Sequence, residues 1–231
     1  HAGGGASSSY DPLYTVQYLT EELEAAVRTA RDYDTYVMVH AYNDASIIRS
    51  LDAGVRSIEH GQLMTEKSME KLIEHDAWIS PYYAFLDTPF EDLVAYVGED
   101  NASKIEELYA GAENQIELLK KYNYRKIAFG ADVVGPPANQ RRNNLELKVR
   151  ARYWSNVEVL QQATSINAEL LAETGKRNPY PLALGVIEEG AYADILLVDG
   201  NPLDDISLLS EDYEKSLRII MKDGVIYKNT L

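Results

Sequence analysis

Residues 36–60 read YVMVHAYNDASIIRSLDAGVRSIEH, and the change of texture along them decides the fold. Tyr36-Val37-Met38-Val39-His40 is a short apolar run of the kind that makes a strand buried on both faces. From about Asp44 the apolar spacing changes: Ile47, Ile48 and Leu51 share one helical face, and Gly54 supplies the stop. Val55 to Glu59 then returns to strand texture. Strand, helix and strand within so short a stretch form one βαβ unit, whose two strands run parallel.

The alternation extends in both directions. Upstream, Thr20 is expected to cap a helix with Glu21 and Glu22 in its first turn and Leu23, Val27 and Ala30 on its apolar face. Downstream, Thr65 and Glu66 open a helix burying Met69, Leu72 and Ile73, and Trp78-Ile79-Ser80 forms a strand that Pro81 ends. Ile105, Leu108, Ile116 and Leu119 make one stripe of a helix from about Ala102 to Lys121. Lys126-Ile127-Ala128-Phe129 is the fourth expected strand, and Leu145 to Gln161 and Asn167 to Glu173 are expected as helices. Beyond Gly175, Pro179 and Pro181 introduce the runs Ile195 to Val198, Leu217 to Met221 and Val225 to Tyr227, with Asp223-Gly224 as a hairpin turn. The reading gives an α/β domain over residues 1–175 and a β-rich one over 176–231.

Composition narrows the classes of function. The 231 residues carry 37 acidic and 22 basic side chains, a net charge of −15, which repels phosphate backbones and anionic lipid headgroups. The basic pair Arg141-Arg142 is too small to reverse this, so neither nucleic acid nor a membrane surface is an expected partner. A hydrophobic content of 45% excludes a disordered tail. The absence of cysteine excludes disulfides, thiolate ligands and a Cys nucleophile, and leaves the cellular compartment open. There is no apolar run of about 18 residues to cross a membrane, and His1 to Tyr10 lack the charged start and apolar core of a signal peptide.

In parallel α/β sheets the chemistry gathers at the carboxyl ends of the strands. His40 and His60 close consecutive strands one βα unit apart, which sets both imidazoles on one rim, near enough to share a metal ion. Gly130-Ala131-Asp132 ends the fourth strand and brings a carboxylate to that rim. Two imidazoles and a carboxylate suit zinc, and a metal-bound water beside a carboxylate base is a nucleophile. A single histidine in such a place is more often a packing residue; the pair with Asp132 is what carries the metal reading. His75, late on a helix, reads as a solvated residue favoured by the helix dipole, and His1 as a terminus. Gly3-Gly4-Gly5 lacks the lysine of a phosphate loop and reads as flexible. Tyr42, Tyr82 and Tyr83 lie near strand ends, where they line a pocket or fill the core.

Val39-His40-Ala41-Tyr42 and AGVRSIEHG at 53–61 resemble strands five and six of the amidohydrolase superfamily, particularly its imidazolonepropionase-like and Xaa-Pro dipeptidase-like branch. Gly130-Ala131-Asp132 resembles the strand-eight aspartate, ATSINA at 163–168 the helix start after it, and GVIEEGAYADILLVD at 185–199 the return into a small β-sandwich. The resemblance implies the C-terminal half of a (β/α)8 TIM-like barrel, strands five to eight, plus part of that sandwich. It implies a metal-dependent hydrolase of C–N bonds in an amide, a cyclic amide or a dipeptide with a hydrophobic or proline side. One or two divalent ions, zinc by ligand type, are implied as cofactor. His40 and His60 would bind the more exposed ion and Asp132 the other; Asp132 would also take a proton from the attacking hydroxide and return it to the leaving amine. Tyr42 would contact substrate, with Tyr82 and Tyr83 as further substrate-binding candidates.

Two departures qualify the match. Asn43 stands where glycine is commoner, and the His-x-His of strand one and the lysine of strand four are absent, HAGGG at 1–5 resembling the tail of strand four. A full barrel takes about 250 residues for eight strands, so four strands read as a fragment, whose expected partners are a small-molecule or dipeptide substrate and its own missing N-terminal half or a second copy. Loop Tyr82 to Gly98, rich in aromatics, and the stiff Gly135-Pro136-Pro137 would shape the pocket. Two other classes stay open: a non-catalytic half-barrel serving binding or assembly, and an unrelated flavodoxin-type α/β fold, which predicts a phosphate loop that is not found.

Overall fold

The computed structural model describes residues 1–133 and 142–231; Gly135-Pro136-Pro137 and Arg141 lie outside the described residues. The chain forms two compact units, residues 1–128 with 173–177, and residues 129–172 with 178–231.

The first unit runs α1 (Thr20–Asp32), β1 (Met38–Asn43), α2 (Asp44–Asp52), β2 (Ser57–Leu63), α3 (Glu66–Glu74), β3 (Trp78–Ser80), α4 (Phe90–Val97) and α5 (Ala102–Lys121). The three strands pair in order and in parallel, with His40 beside Glu59 and Glu59 beside Ser80. Helices α1, α2, α3 and α5 are where their apolar spacing puts them, whereas α4 lies inside the stretch expected as a loop, Tyr82 to Gly98; the ends follow from local hydrogen bonding. Asn43 Oδ1 accepts from Ser46 N–H at 3.0 Å to start α2, and Thr65 Oγ1 accepts from Lys67 N–H at 3.3 Å to start α3. Thr20 is not the cap of α1: it is the first helical residue, and the preceding Leu19 N–H donates 2.8 Å to the Glu22 carboxylate, so an acid three residues on does the work expected of a hydroxyl.

Helix α5 lies directly on β2. Ile105, Leu108, Ala112, Ile116 and Leu119 are buried, and Gly111 permits the approach, since a Cβ there would come within 2.5 Å of the Gln62 carbonyl oxygen. Both histidine strands run beyond their expected ends, to Asn43 and Leu63, so His40 and His60 stand near the middle of their strands rather than closing them. The fourth strand is reduced to one parallel bridge, Ile79 with Ile127, made by Ile79 N–H to Lys126 O at 3.1 Å and Ala128 N–H to Ile79 O at 2.8 Å. The base of the sheet is fastened by Arg56, whose Nε and Nη2 donate 3.2 and 2.8 Å to the Glu173 carboxylate, while Trp78 Nε1 donates to the same carboxylate at 3.1 Å.

The second unit contains α6 (Leu145–Arg150), α7 (Asn156–Gln161), α8 (Asn167–Ala172) and an antiparallel sheet β4 (Ile195–Val198), β5 (Leu217–Lys222), β6 (Val225–Asn229). The single helix expected from Leu145 to Gln161 is divided because Ser155 and Glu158 make a reciprocal cap, Ser155 N–H donating 2.9 Å to the Glu158 carboxylate and Glu158 N–H donating 3.4 Å to Ser155 Oγ. Asp223 and Gly224 both take positive φ, 51° and 75°, as the tight turn between β5 and β6 requires. A buried ion pair, Glu146 with Arg150 at 2.6 Å, holds the α6 end of this unit. Among the described residues no helix is long and apolar enough to cross a membrane.

Candidate active site

Parallel pairing brings His40 and His60 together. Their ring centroids are 4.7 Å apart at 76°, and the Tyr42 ring lies 4.9 Å from each. His1, read as a bare terminus, stacks on His40 with centroids 4.0 Å apart.

His60 holds a strained backbone conformation. Six non-glycine residues among those described have positive φ; five are Asp or Asn, which tolerate it, and the sixth is His60 at 76°. Gly61 follows at 72°, so β2 turns sharply where the imidazole is presented. This conformation is held from behind by α5: Gln115 Nε2 donates 2.7 Å to the His60 carbonyl, and Tyr83 hydroxyl donates 2.9 Å to Gln115 Oε1. Such strain persists only where neighbours fix it, and it concentrates at functional positions. Burial pushes the His60 imidazole pKa down to about 4, which keeps the ring neutral near pH 7, the form that donates a lone pair to a metal.

His40 is set by the chain's first residues. Its Nε2 lies 2.8 Å from the Gly4 carbonyl oxygen, and its own carbonyl accepts from Ala2 N–H at 2.9 Å. The glycine run expected to be flexible is instead buried and close-packed. A Cβ on Gly4 would come within 1.9 Å of the Pro12 carbonyl oxygen, so only glycine lets the strap fold back on itself. Asn43 has a definite task here: besides capping α2, its Nδ2 donates 2.7 Å to Leu13 O and 3.2 Å to Thr15 O, tying the same strap to β1.

Two imidazoles at this separation fit a divalent ion of zinc type as two of its ligands. Among the described residues no group of three or more His, Cys, Asp and Glu side chains is placed to hold an ion. Asp132 belongs to the second unit, where its φ is 44°. The segment leading to it is fastened by Asn167, whose side-chain amide accepts from Phe129 N–H at 2.8 Å and donates to Phe129 O at 2.9 Å. Tyr83 is fully buried with its hydroxyl on Gln115, whereas Tyr82 is partly exposed and its carbonyl accepts from Gln62 Nε2 at 3.1 Å. His75 ends α3, and its Nε2 lies 3.2 Å from an Asp52 carboxylate oxygen.

The fold has counterparts among known structures. A curated relative, ochratoxinase of Aspergillus niger, is 28% identical over 231 residues, 98% of this chain and 45% of that protein. The crystal structure of a prolidase complexed with N-methylphosphonate-L-proline superposes with a TM-score of 0.84 at 30% identity, covering 99% of this chain and 54% of that one. A Xaa-Pro dipeptidase with bound methionine gives 0.82 at 28% identity, covering 99% and 53%. The chain thus spans about half the length of the relatives it matches. The amidohydrolase family model aligns from residue 2 to residue 227, and over that extent the chain is a member of the amidohydrolase family.

Proposed function

We propose that this chain carries the C-terminal half of a metal-dependent hydrolase of C–N bonds, and that its substrate is an amide, a cyclic amide or a dipeptide. The observation that supports this most is the His40 and His60 pair, two rings 4.7 Å apart on adjacent parallel strands, one of them held neutral and backbone-strained. Family membership removes the flavodoxin-type alternative. Two of the structural relatives are a prolidase and a Xaa-Pro dipeptidase, which favours a dipeptide within the proposed class.

In this reading His40 and His60 hold a divalent ion, and when bound it polarises the scissile carbonyl and lowers the pKa of water. Asp132 is the general base and acid. Its carboxylate takes the proton of the attacking water as the new C–O bond forms, and delivers it to nitrogen as the C–N bond breaks. Tyr42 and Tyr82 offer hydroxyl groups to a substrate carboxylate or amide. Residues 1–175 correspond in this scheme to the last four strands of a (β/α)8 barrel and residues 176–231 to part of the small sandwich, with the remaining ligands supplied by the portion of the relatives that this chain does not span.

Divalent metal per chain, measured by elemental analysis after exhaustive dialysis against zinc-buffered solution, tests the reading. The unsubstituted chain retains zinc and the His40→Ala/His60→Ala variant does not. Equal zinc in both refutes the assignment of these two histidines.

A further inference from the structure

Helix α5 directs two polar side chains of one face at main chain, one at His60 and one at the segment that meets His40. Lys104 and Gln115 are eleven residues apart, about three helical turns, and so lie on the same side. Gln115 takes the His60 carbonyl directly. Lys104 acts at one remove: its ammonium donates 3.0 Å to Gly5 O, 3.0 Å to Asp11 O and also to Ser8 O, matching its three protons to three carbonyls of the strap. That strap begins with Gly4, whose carbonyl meets His40 Nε2.

The position of Lys104 makes little sense for the helix alone. It sits in the first turn of α5, where the helix dipole disfavours a cation. A lysine kept at this end is explained by the carbonyl cage it fills. The consequence for His40 follows from hydrogen-bond polarity: a carbonyl oxygen can only accept, so Nε2 carries the proton and Nδ1 is the nitrogen with the lone pair.

We propose that Lys104 and Gln115 are positioning residues on one helix face, Lys104 fixing the tautomer and aim of His40 through the Gly4 strap and Gln115 fixing the strained backbone of His60. The inference rests on the reading of the two histidines as metal ligands, since hydrogen bonds behind a ligand set which nitrogen it presents and how firmly.

Two measurements on the full chain test it. The first is the imidazole tautomer of His40 by long-range 15N–1H correlation in metal-free protein; the expected result is a single Nε2–H form, mixed or inverted in Lys104→Gln and restored toward it in Lys104→Arg. The second is zinc affinity by competition with a chromophoric chelator. Lys104→Gln and Gln115→Leu should each weaken binding by about ten- to a hundredfold, the range for loss of a group behind a metal ligand, and Gln115→Leu should leave the His40 tautomer unchanged. An Nδ1–H tautomer in the unsubstituted chain overturns the proposal, as do Lys104→Gln and Gln115→Leu variants with unaltered tautomer and affinity. If Lys104→Gln fails to fold, the tautomer of the unsubstituted chain and the affinity of Lys104→Arg decide. If the unsubstituted chain binds no zinc through His40 and His60, the metal reading fails separately, while the tautomer still decides what Lys104 does.

Discussion

Replacing Glu146 by leucine removes one member of an ion pair from which water is wholly excluded. Both side chains are 0% exposed, the Arg150 Nε to Glu146 Oε1 distance is 2.6 Å, Arg150 Nη1 donates 2.8 Å to Gln162 Oε1, and the guanidinium lies 4.8 Å from the centre of the Phe129 ring. Gln162 and Phe129 carry no charge, so neither of these two replaces the carboxylate. Removing one member of a buried ion pair costs about 3–5 kcal/mol, a large part of the roughly 5–15 kcal/mol that stabilises a domain. For a chain of this size each kcal/mol moves the midpoint by about 2–4 °C, so Glu146→Leu should melt roughly 6–20 °C lower. Scanning calorimetry measures this, with near-UV circular dichroism of Tyr153 and Trp154 as a local reporter. The decisive control is Glu146→Leu/Arg150→Leu, because removing both charges also removes the desolvation cost, and the double variant should lie far nearer the unsubstituted chain than the single one. A single variant that melts within about 1 °C of the parent, or a double variant whose loss is the sum of the two singles, refutes the reasoning.

Gly4→Ala should displace the strap, because its Cβ would sit 1.9 Å from Pro12 O and 2.6 Å from Pro12 C, backbone atoms that cannot rotate away; limited proteolysis should then cut within residues 4–12, where the parent resists. The Arg56 guanidinium holds the Glu173 carboxyl below the ordinary carboxylate range, so the pair's contribution is complete above that range and is lost as pH falls through the depressed value. Urea midpoints at neutral and acid pH should therefore separate less in Glu173→Gln than in the parent, and equal separations would contradict the pairing. Asp44 accepts from Thr65 N–H at 2.8 Å and from the hydroxyls of Thr65 and Ser68. Asp44→Ala should cost about 1–2 kcal/mol in chemical denaturation, most of which Asp44→Asn should restore.

Much of the fold could be read from the sequence because its signals are local. Ile47 and Leu51, or Met69 and Leu72, bury themselves wherever a helix places them on one stripe, and the Asp223-Gly224 turn needs only two residues that accept positive φ. Two misread helix boundaries share one cause, a polar side chain returning to a backbone group three residues away. Glu22 reaches back to Leu19 and Glu158 to Ser155, so α1 is capped one residue before the expected threonine and a helix expected as one becomes two. Lys126 to Phe129 is the opposite case: its apolar texture is that of a strand, but pairing is a property of the neighbour, and among the described residues only the Ile79 bridge is made.

The meeting of the two histidines could be read because imidazole is rare here and parallel strands repeat at the length of one βα unit. Their supports could not, because what they recognise is main chain. Gly4, Gly5, Ser8 and Asp11 take part through carbonyl oxygens, which every residue has, so nothing in their identity marks them as partners of His40 or Lys104. Gln115 is equally anonymous, a buried amide in an otherwise apolar stripe, until the His60 carbonyl is found opposite it. Two signals did stand in the sequence. A lysine in the first turn of α5 opposes the helix dipole, and a glutamine among Ala112, Ile116 and Leu119 opposes the apolar pattern. Each is unfavourable for the helix considered alone, and each is accounted for by a histidine strand that the helix supports.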